Sequence, residues 1–338
     1  MRLTPALLFA STVLLCAPAF ANGPNVVASI KPIHSLVASI MEGVGEPSLI
    51  VEGGASPHTY NMKPSNAAAL QEAKVVFWVG HGLEAFLDKP LEALGSDAKV
   101  VELGEAPGLE KLKFREGGAF EAHADDDEGH EGDGHGAEAA HDGHEHKEHA
   151  AEQQPANDHE HHAEGEFDMH MWLDPMNAKA MAAEIEKALA EADPGNAAAY
   201  EANLKKLNQR LDALDKHLAE TVAPVQDKPF VVFHDAYQYF EHRYKVRVAG
   251  SITVSPEVLP GAERLSEIRA KIKELGATCV FAEPQFEPKL INVVIEDTPA
   301  KSGTLDPEAA TLDAGPDLYF QLMENIGTSL KSCLASAS

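Results

Sequence analysis

A chain of 338 residues, 44% of them hydrophobic, exceeds what one core usually supports and is read as two lobes. Its net charge of −27 is uneven: residues 116–166 hold 17 acidic and one basic residue, a net −16, which leaves a moderately acidic −11 for the rest. That sign excludes nucleic acid as a partner, since phosphate binding needs clustered Lys and Arg.

The N-terminus has the pattern of a cleavable secretory signal over residues 1–21. Arg2 precedes an apolar run from Leu3 to Ala17, and Ala19-Phe20-Ala21 is a small-x-small cleavage site, so the mature chain is expected to begin at Asn22. Cys16 raises a lipoprotein signal as an alternative, but Leu15 before it is bulkier than such sites usually take. No later stretch approaches the roughly 18 apolar residues of a membrane span. The product is therefore expected to be exported and soluble, in a bacterial periplasm.

From residue 26 short apolar runs alternate with amphipathic stretches. VVASI (26–30), SLIV (48–51), VVFWVG (75–80) and KVVEL (99–103) read as strands, with helices beginning near Pro32, near Ser65 with its capping hydroxyl, and near Leu83. The rhythm returns after residue 229 in FVVFH, VRVAGSIT, TCVFAE and a weaker AKSGTLD, with helices near Tyr237, Ala262, Pro288 and Asp317. This is the alternation of parallel sheets covered by helices, an α/β fold in two lobes. Asn196 to Val222 reads as one helix with Leu204, Leu207, Leu211, Leu214 and Leu218 on one face, about 40 Å long. The expected organisation is an N-terminal lobe over 22–195, a linker helix over 196–223 and a C-terminal lobe over 224–338.

Residues 116–166 interrupt the first lobe. They lack apolar residues to bury and are expected to be disordered. Ten of the 17 histidines fall here, His123, His130, His135, His141, His144, His146, His149, His159, His161 and His162, among Asp, Glu, Gly and Ala. A mobile acidic strand studded with imidazoles can gather a divalent cation without fixed geometry. It is read as an accessory zinc loop, with a solvated linker as the bland alternative.

After signal removal two cysteines remain, Cys279 and Cys333, and an oxidising compartment lets them pair. Such a bridge would stabilise the fold by ~4 kcal/mol in the chain-entropy model and tie the C-terminal helix to a core strand. Two buried free thiols are the alternative.

Seven histidines lie outside the tract. His58 sits in the Gly- and Pro-rich loop VEGGASPHTYNMKPS, His234 ends the strand FVVFH, and His170 lies in DMHMWLDP just before a helix. Ligands of open α/β sheets collect beyond the carboxyl ends of the strands, where His58 and His234 belong. Three imidazoles suit zinc better than manganese or calcium, which prefer oxygen. Asp306 in SGTLDPEA follows a strand and is a candidate fourth ligand, with a helix N-cap before Pro307 as its ordinary alternative. His34 reads as a partly buried, hydrogen-bonded histidine of the first helix. His81 lies on the correct sheet edge but is not placed in the site, and His217 and His242 read as solvated. Trp172, Phe233, Tyr237, Tyr239 and Phe240 are expected to pack the cores and could shield a metal from water.

The segments ASPHTYNMKPS, VFWVGHGLEAFL, MHMWLDP, VFHDAYQYFE, ITVSPEVLPGAERLSEIR, CVFAEPQF and GTLDP together resemble the metal-binding solute receptors of ABC importers, specifically zinc receptors of the ZnuA type. The likeness covers nearly the whole mature chain in order, and an acidic His-rich insertion before MHMWLDP is typical of the zinc branch. The resemblance implies two lobes, a rigid helical linker, one zinc in the inter-lobe cleft bound by His58, His170 and His234, and a Cys279–Cys333 disulfide. It also implies delivery to an inner-membrane permease coupled to a cytoplasmic ATPase, with periplasmic zinc-donor proteins as further partners, by a monomer that is no enzyme. Some relatives carry Glu just before the first histidine; here that position is Pro57, so water, Asp306 or a tract histidine would fill the fourth position. The rival readings are a hydrolytic zinc enzyme, which lacks an HExxH motif here, a manganese receptor or adhesin of the same fold, and a periplasmic zinc chaperone or buffer. The manganese branch places Glu where this chain has His234.

Overall fold

In the computed structural model the described residues are 23–95, 97–115, 120, 167–253, 260–286 and 289–336. The signal segment and the ten tract histidines lie outside them.

The first sheet is built from β1 (Val26–Ala28), β2 (Ser48–Leu49), β3 (Val75–Trp78) and β4 (Lys99–Glu102), all parallel, in the order β2-β1-β3-β4. The second contains β5 (Pro229–His234), β6 (Arg247–Thr253), β7 (Cys279–Ala282) and β8 (Lys301–Thr304), also parallel, in the order β6-β5-β7-β8. Helices connect the strands: α1 (Lys31–Ile40), α2 (Pro64–Glu72), α3 (His81–Glu84) and α4 (Asp88–Leu94) in the first lobe, and α7 (Gln238–Tyr244), α8 (Ala262–Leu275), α9 (Lys289–Ile295) and α10 (Leu318–Ala335) in the second. In the first lobe α5 (Pro175–Ala192) packs against β3, β4 and α1, and the long α6 (Ala197–Val222) follows it as the link to the second lobe. This is the two-lobed α/β architecture expected from the strand and helix rhythm, joined by a long helix.

Both faces of the second sheet are covered at its centre, which explains why β5 and β7 are apolar without alternation, while the edge strand β8 is polar and largely exposed. Phe230 and Val232 of β5 face the main core, which runs through both lobes, while Val231 and Phe233 face a smaller core under α8 and α9. At 1.5 Å per residue the 26 residues of α6 extend about 39 Å. Its buried face is Tyr200, Asn203, Leu207, Leu211, Leu214, Leu218 and Val222, packed against α1, α5 and α10.

Two local expectations are corrected. Leu204 lies at the margin of the α6 seam, and Asn203 occupies its centre. The Asn203 amide donates to the carbonyls of Ile40 (2.9 Å) and Glu42 (2.8 Å), partners that the end of α1 otherwise lacks. Ser65 does not cap α2, because Pro64 is already its first residue. Asn66 instead accepts the Lys63 backbone N–H at 2.9 Å, the reciprocal half of a capping box.

The chain after β8 crosses back to the first lobe. Lys31, buried in α1, donates to the carbonyls of Ala309 (3.0 Å), Ala310 (3.0 Å) and Leu312 (2.8 Å). Burial holds its ammonium below the ordinary lysine range, against the opposing pull of Asp306 and Asp313. Ser39 Oγ donates to Pro316 O, and the Tyr319 N–H donates to Ser35 Oγ. Cys279 of β7 and Cys333 of α10 form a disulfide, so the C-terminal helix is anchored to a central strand. Among the described residues no helix is long and apolar enough to cross a membrane.

Candidate metal centre

His58, His170 and His234 are far apart in sequence and meet at the carboxyl edge of the two sheets, as expected for His58 and His234. One nitrogen of each lies within 4.8 Å of the others. The Nε2 atoms of His170 and His234 are 3.3 Å apart, hydrogen-bonding distance when one ring carries a proton there. Two nitrogens bound tetrahedrally to one zinc at about 2.0–2.1 Å stand about 3.3–3.4 Å apart, so the observed spacing already matches a shared cation.

Each histidine is fixed by its own segment. His58 lies in a short 3-10 turn (Pro57–Thr59), where Pro sets the first residue. Two residues on, the buried Tyr60 pins the loop, its hydroxyl donating to Ile50 O at 2.9 Å. His58 Nε2 is buried with no hydrogen-bond partner, a donor atom with nothing to bind. Burial, then the neighbouring His170 and His234, drive its basicity well below that of free imidazole, so this ring is held neutral.

His170 precedes the 3-10 turn Met171–Leu173. Its Nδ1–H donates to Asp168 Oδ1 at 2.8 Å, and the same oxygen accepts the His170 backbone N–H at 3.0 Å. Tyr239 holds the segment from the other side through a 2.7 Å bond to Asp168 O. The Trp172 ring lies 5.3 Å from the His170 ring, fully buried, and its indole N–H donates to Pro307 O at 3.0 Å. Trp172 therefore packs the core, screens His170 from water and holds the segment after β8 in place.

His234 ends β5, and its Nδ1–H donates to both oxygens of Glu283, at 2.7 and 2.8 Å. The strand register puts these two together: Phe230 pairs with Cys279 and Val231 with Val280, so four residues further on His234 stands beside Glu283. Burial works against protonation of His234, but the charge and hydrogen bond of Glu283 outweigh it and raise its pKa above 6.5. In both His170 and His234 a carboxylate on Nδ1 leaves Nε2 facing the partner ring, which is how metal-binding imidazoles are oriented.

Asp306 does not join the cluster. Its oxygens accept from Gln285 Nε2 (3.2 Å), Glu308 N (3.2 Å) and Thr311 N (3.5 Å), so it caps the turn after β8. The carboxyl that reaches the site is Glu308, which lines one small cavity with Ser56, His58, His234, Glu283 and Gln285. His81 pairs with Asp88 outside the cluster. His34 is buried and bonded to Pro47 O at 3.0 Å, and His217 and His242 are exposed, as expected.

Asp168, Glu283 and Glu308 were not picked out from the sequence. A usable signal existed for Glu283, an acidic residue closing TCVFAE at the same strand edge as His234. Asp168 stands two residues before His170, a spacing at which a carboxylate reaches both the imidazole and the backbone. Nothing in SGTLDPEA distinguishes Glu308 from Asp306.

The family model described as zinc-uptake complex component A, periplasmic (ZnuA), matches residues 26–333. The high-affinity zinc uptake system protein ZnuA of Brucella suis biovar 1 is 54% identical over 328 residues, 92% of each chain. Its counterpart in Yersinia pestis is 38% identical, over 97% of this chain and 96% of that one. A solved structure titled as ZnuA superposes with a TM-score of 0.70 at 26% identity, covering 94% of this chain and all of the other.

Proposed function

The chain belongs to the ZnuA family of zinc-uptake components, and we propose that it is the receptor that captures Zn2+ for an ABC importer. His58, His170 and His234 are its ligands, and delivery is to a membrane permease coupled to an ATPase. On this reading residues 1–21 are an export signal and the receptor works as a monomer in the periplasm. Its lobes are residues 22–195 and 224–338, with 196–223 between them.

The observation that carries the proposal is the convergence of three imidazoles, two of them backed by buried carboxylates. Nitrogen donors favour a borderline cation over hard Mn2+, which supports zinc over the manganese reading. The carboxylates Asp168 and Glu283 are both bound to imidazole Nδ1 atoms, so they serve the ligands rather than a reacting water. That arrangement favours a receptor over the hydrolase reading.

Competition titrations of the mature protein with a zinc chelator, with and without excess Mn2+, test the function. One tight zinc site is expected in the wild type, and the loss of at least a hundredfold in affinity in His234→Ala. Equal zinc affinity in the two proteins would remove His234 from the site, and manganese displacing zinc at comparable concentration would overturn the zinc assignment.

A further inference from the structure

The cavity beside His58 and His234 contains more polar demand than three imidazoles explain. Glu308 is buried, and its Oε1 has no hydrogen-bond partner. The same is true of Gln285 Oε1, which lines the same cavity, and of the Tyr237 hydroxyl, buried within electrostatic reach of Glu283, Asp306 and Glu308. Buried polar atoms are almost always satisfied, so a cluster of unsatisfied ones at a ligand site marks where a ligand's own groups belong.

Glu308 is brought there by its chain neighbours. Its backbone N–H is held by Asp306 Oδ1 at 3.2 Å, the preceding Pro307 carbonyl accepts from Trp172, and the following Ala309 carbonyl accepts from Lys31. With both flanks pinned, the side chain has one direction open to it, the cavity. Glu308 is not among the residues whose donor atoms lie within 4.8 Å of one another, yet it lines the cavity with His58 and His234, which suits a partner of a bound water rather than a direct ligand.

We propose that Glu308 is the positioning residue for the fourth coordination position, its Oε1 accepting a hydrogen bond from the water that completes a tetrahedral zinc site. It supplies from the second lobe the carboxylate that Pro57 cannot supply beside His58. With Asp168 and Glu283 behind two of the imidazoles, it is the third carboxyl group around the site. Gln285 Oε1 is the second acceptor for the same water. The inference rests on the zinc-receptor reading above.

The test compares wild type, Glu308→Gln and Glu308→Met by chelator competition, by the visible spectrum of the Co2+-loaded protein, and by the Tm of the metal-free protein. Zinc affinity is expected to fall about 10- to 100-fold in both variants, the range for loss of a partner behind the ligand shell. The Co2+ spectrum should shift in both variants, more in Glu308→Met, where the bound water loses its acceptor, than in Glu308→Gln, where a neutral amide oxygen replaces the carboxylate. The metal-free Tm should stay level in Glu308→Gln and rise in Glu308→Met, because an unsatisfied buried carboxyl destabilises the empty protein. Unchanged zinc affinity, or an unchanged Co2+ spectrum, would overturn the assignment. So would a Tm falling together with affinity in both variants, which marks a structural role. A wild type without a tight zinc site would instead sink the receptor reading, so the two failures are separable.

Discussion

Removing the Cys279–Cys333 disulfide should weaken the fold and leave zinc binding alone. The bridge spans 54 residues. In the chain-entropy model that closure lowers the entropy of the unfolded chain by about 14 cal/mol/K, or about 4 kcal/mol at 25 °C. With roughly 250 described residues at about 2.1 cal/mol/K each, unfolding carries about 0.5 kcal/mol/K, so the loss corresponds to a Tm decrease of about 8 °C. Native contacts that keep α10 in place without the bridge include Lys228 Nζ to Leu334 O at 2.8 Å and the buried Tyr319 hydroxyl to Trp172 O at 2.6 Å. The folded state should therefore survive with its site intact. Calorimetry of Cys279→Ala/Cys333→Ala against wild type measures the gap, and chelator competition measures zinc. Saturating zinc should raise both Tm values equally, because its linkage depends only on affinity for the folded state. A gap under about 2 °C, or a tenfold change in zinc affinity, would refute the reasoning.

Two further outcomes follow from the site and the spine. Zinc and a proton compete for Nε2 of His234, whose pKa is raised above 6.5, whereas His58 is held neutral well below it. Affinity should therefore begin to fall as pH drops through a window above 6.5, and Glu283→Gln should move that window downward; a pH series of competition titrations with no such displacement would contradict it. The sign for the metal-free protein is opposite: the stability from the His234–Glu283 pair is fully present below the unfolded value and is lost as pH rises through the raised one. Asn203→Leu, which restores a uniformly apolar seam to α6, should destabilise the protein by ~1–3 kcal/mol because the carbonyls of Ile40 and Glu42 lose their donor. Chemical denaturation reads it, and a more stable variant would count against the satisfaction argument.

The strands, the order of the helices and the three histidines were legible because each rests on a local pattern. Apolar runs of four to seven residues mark buried parallel strands, and a histidine at a strand's carboxyl end has one place to be. Glu283 was less visible because its meaning comes from register, a relation between two strands 49 residues apart that neither strand carries alone. Asp306 lies outside the histidine cluster for a different reason. In SGTLDPEA two carboxylates lie two residues apart on a tight turn, and the turn's own backbone N–H groups engage the first. Which one faces inward is decided by Trp172 and Lys31, residues 135 and 278 positions away along the chain.

Those long-range bonds also bear on how the metal is held. The first lobe contributes His58 and His170, the second His234, Glu283 and Glu308, so the site depends on the relative placement of the lobes. That placement is set by one continuous core running through both sheets and α6, and by Lys31, Ser39 and Tyr319 stitching the chain after β8 to α1. That frame holds the Nε2 atoms of His170 and His234 3.3 Å apart, the spacing two ligands of one zinc would take. The unpartnered nitrogen of His58 and the unsatisfied carboxyl of Glu308 both act against the metal-free protein. On the zinc-receptor reading the ion satisfies the first and its bound water the second, so part of the binding energy is stored in how the fold holds these groups before the ion arrives.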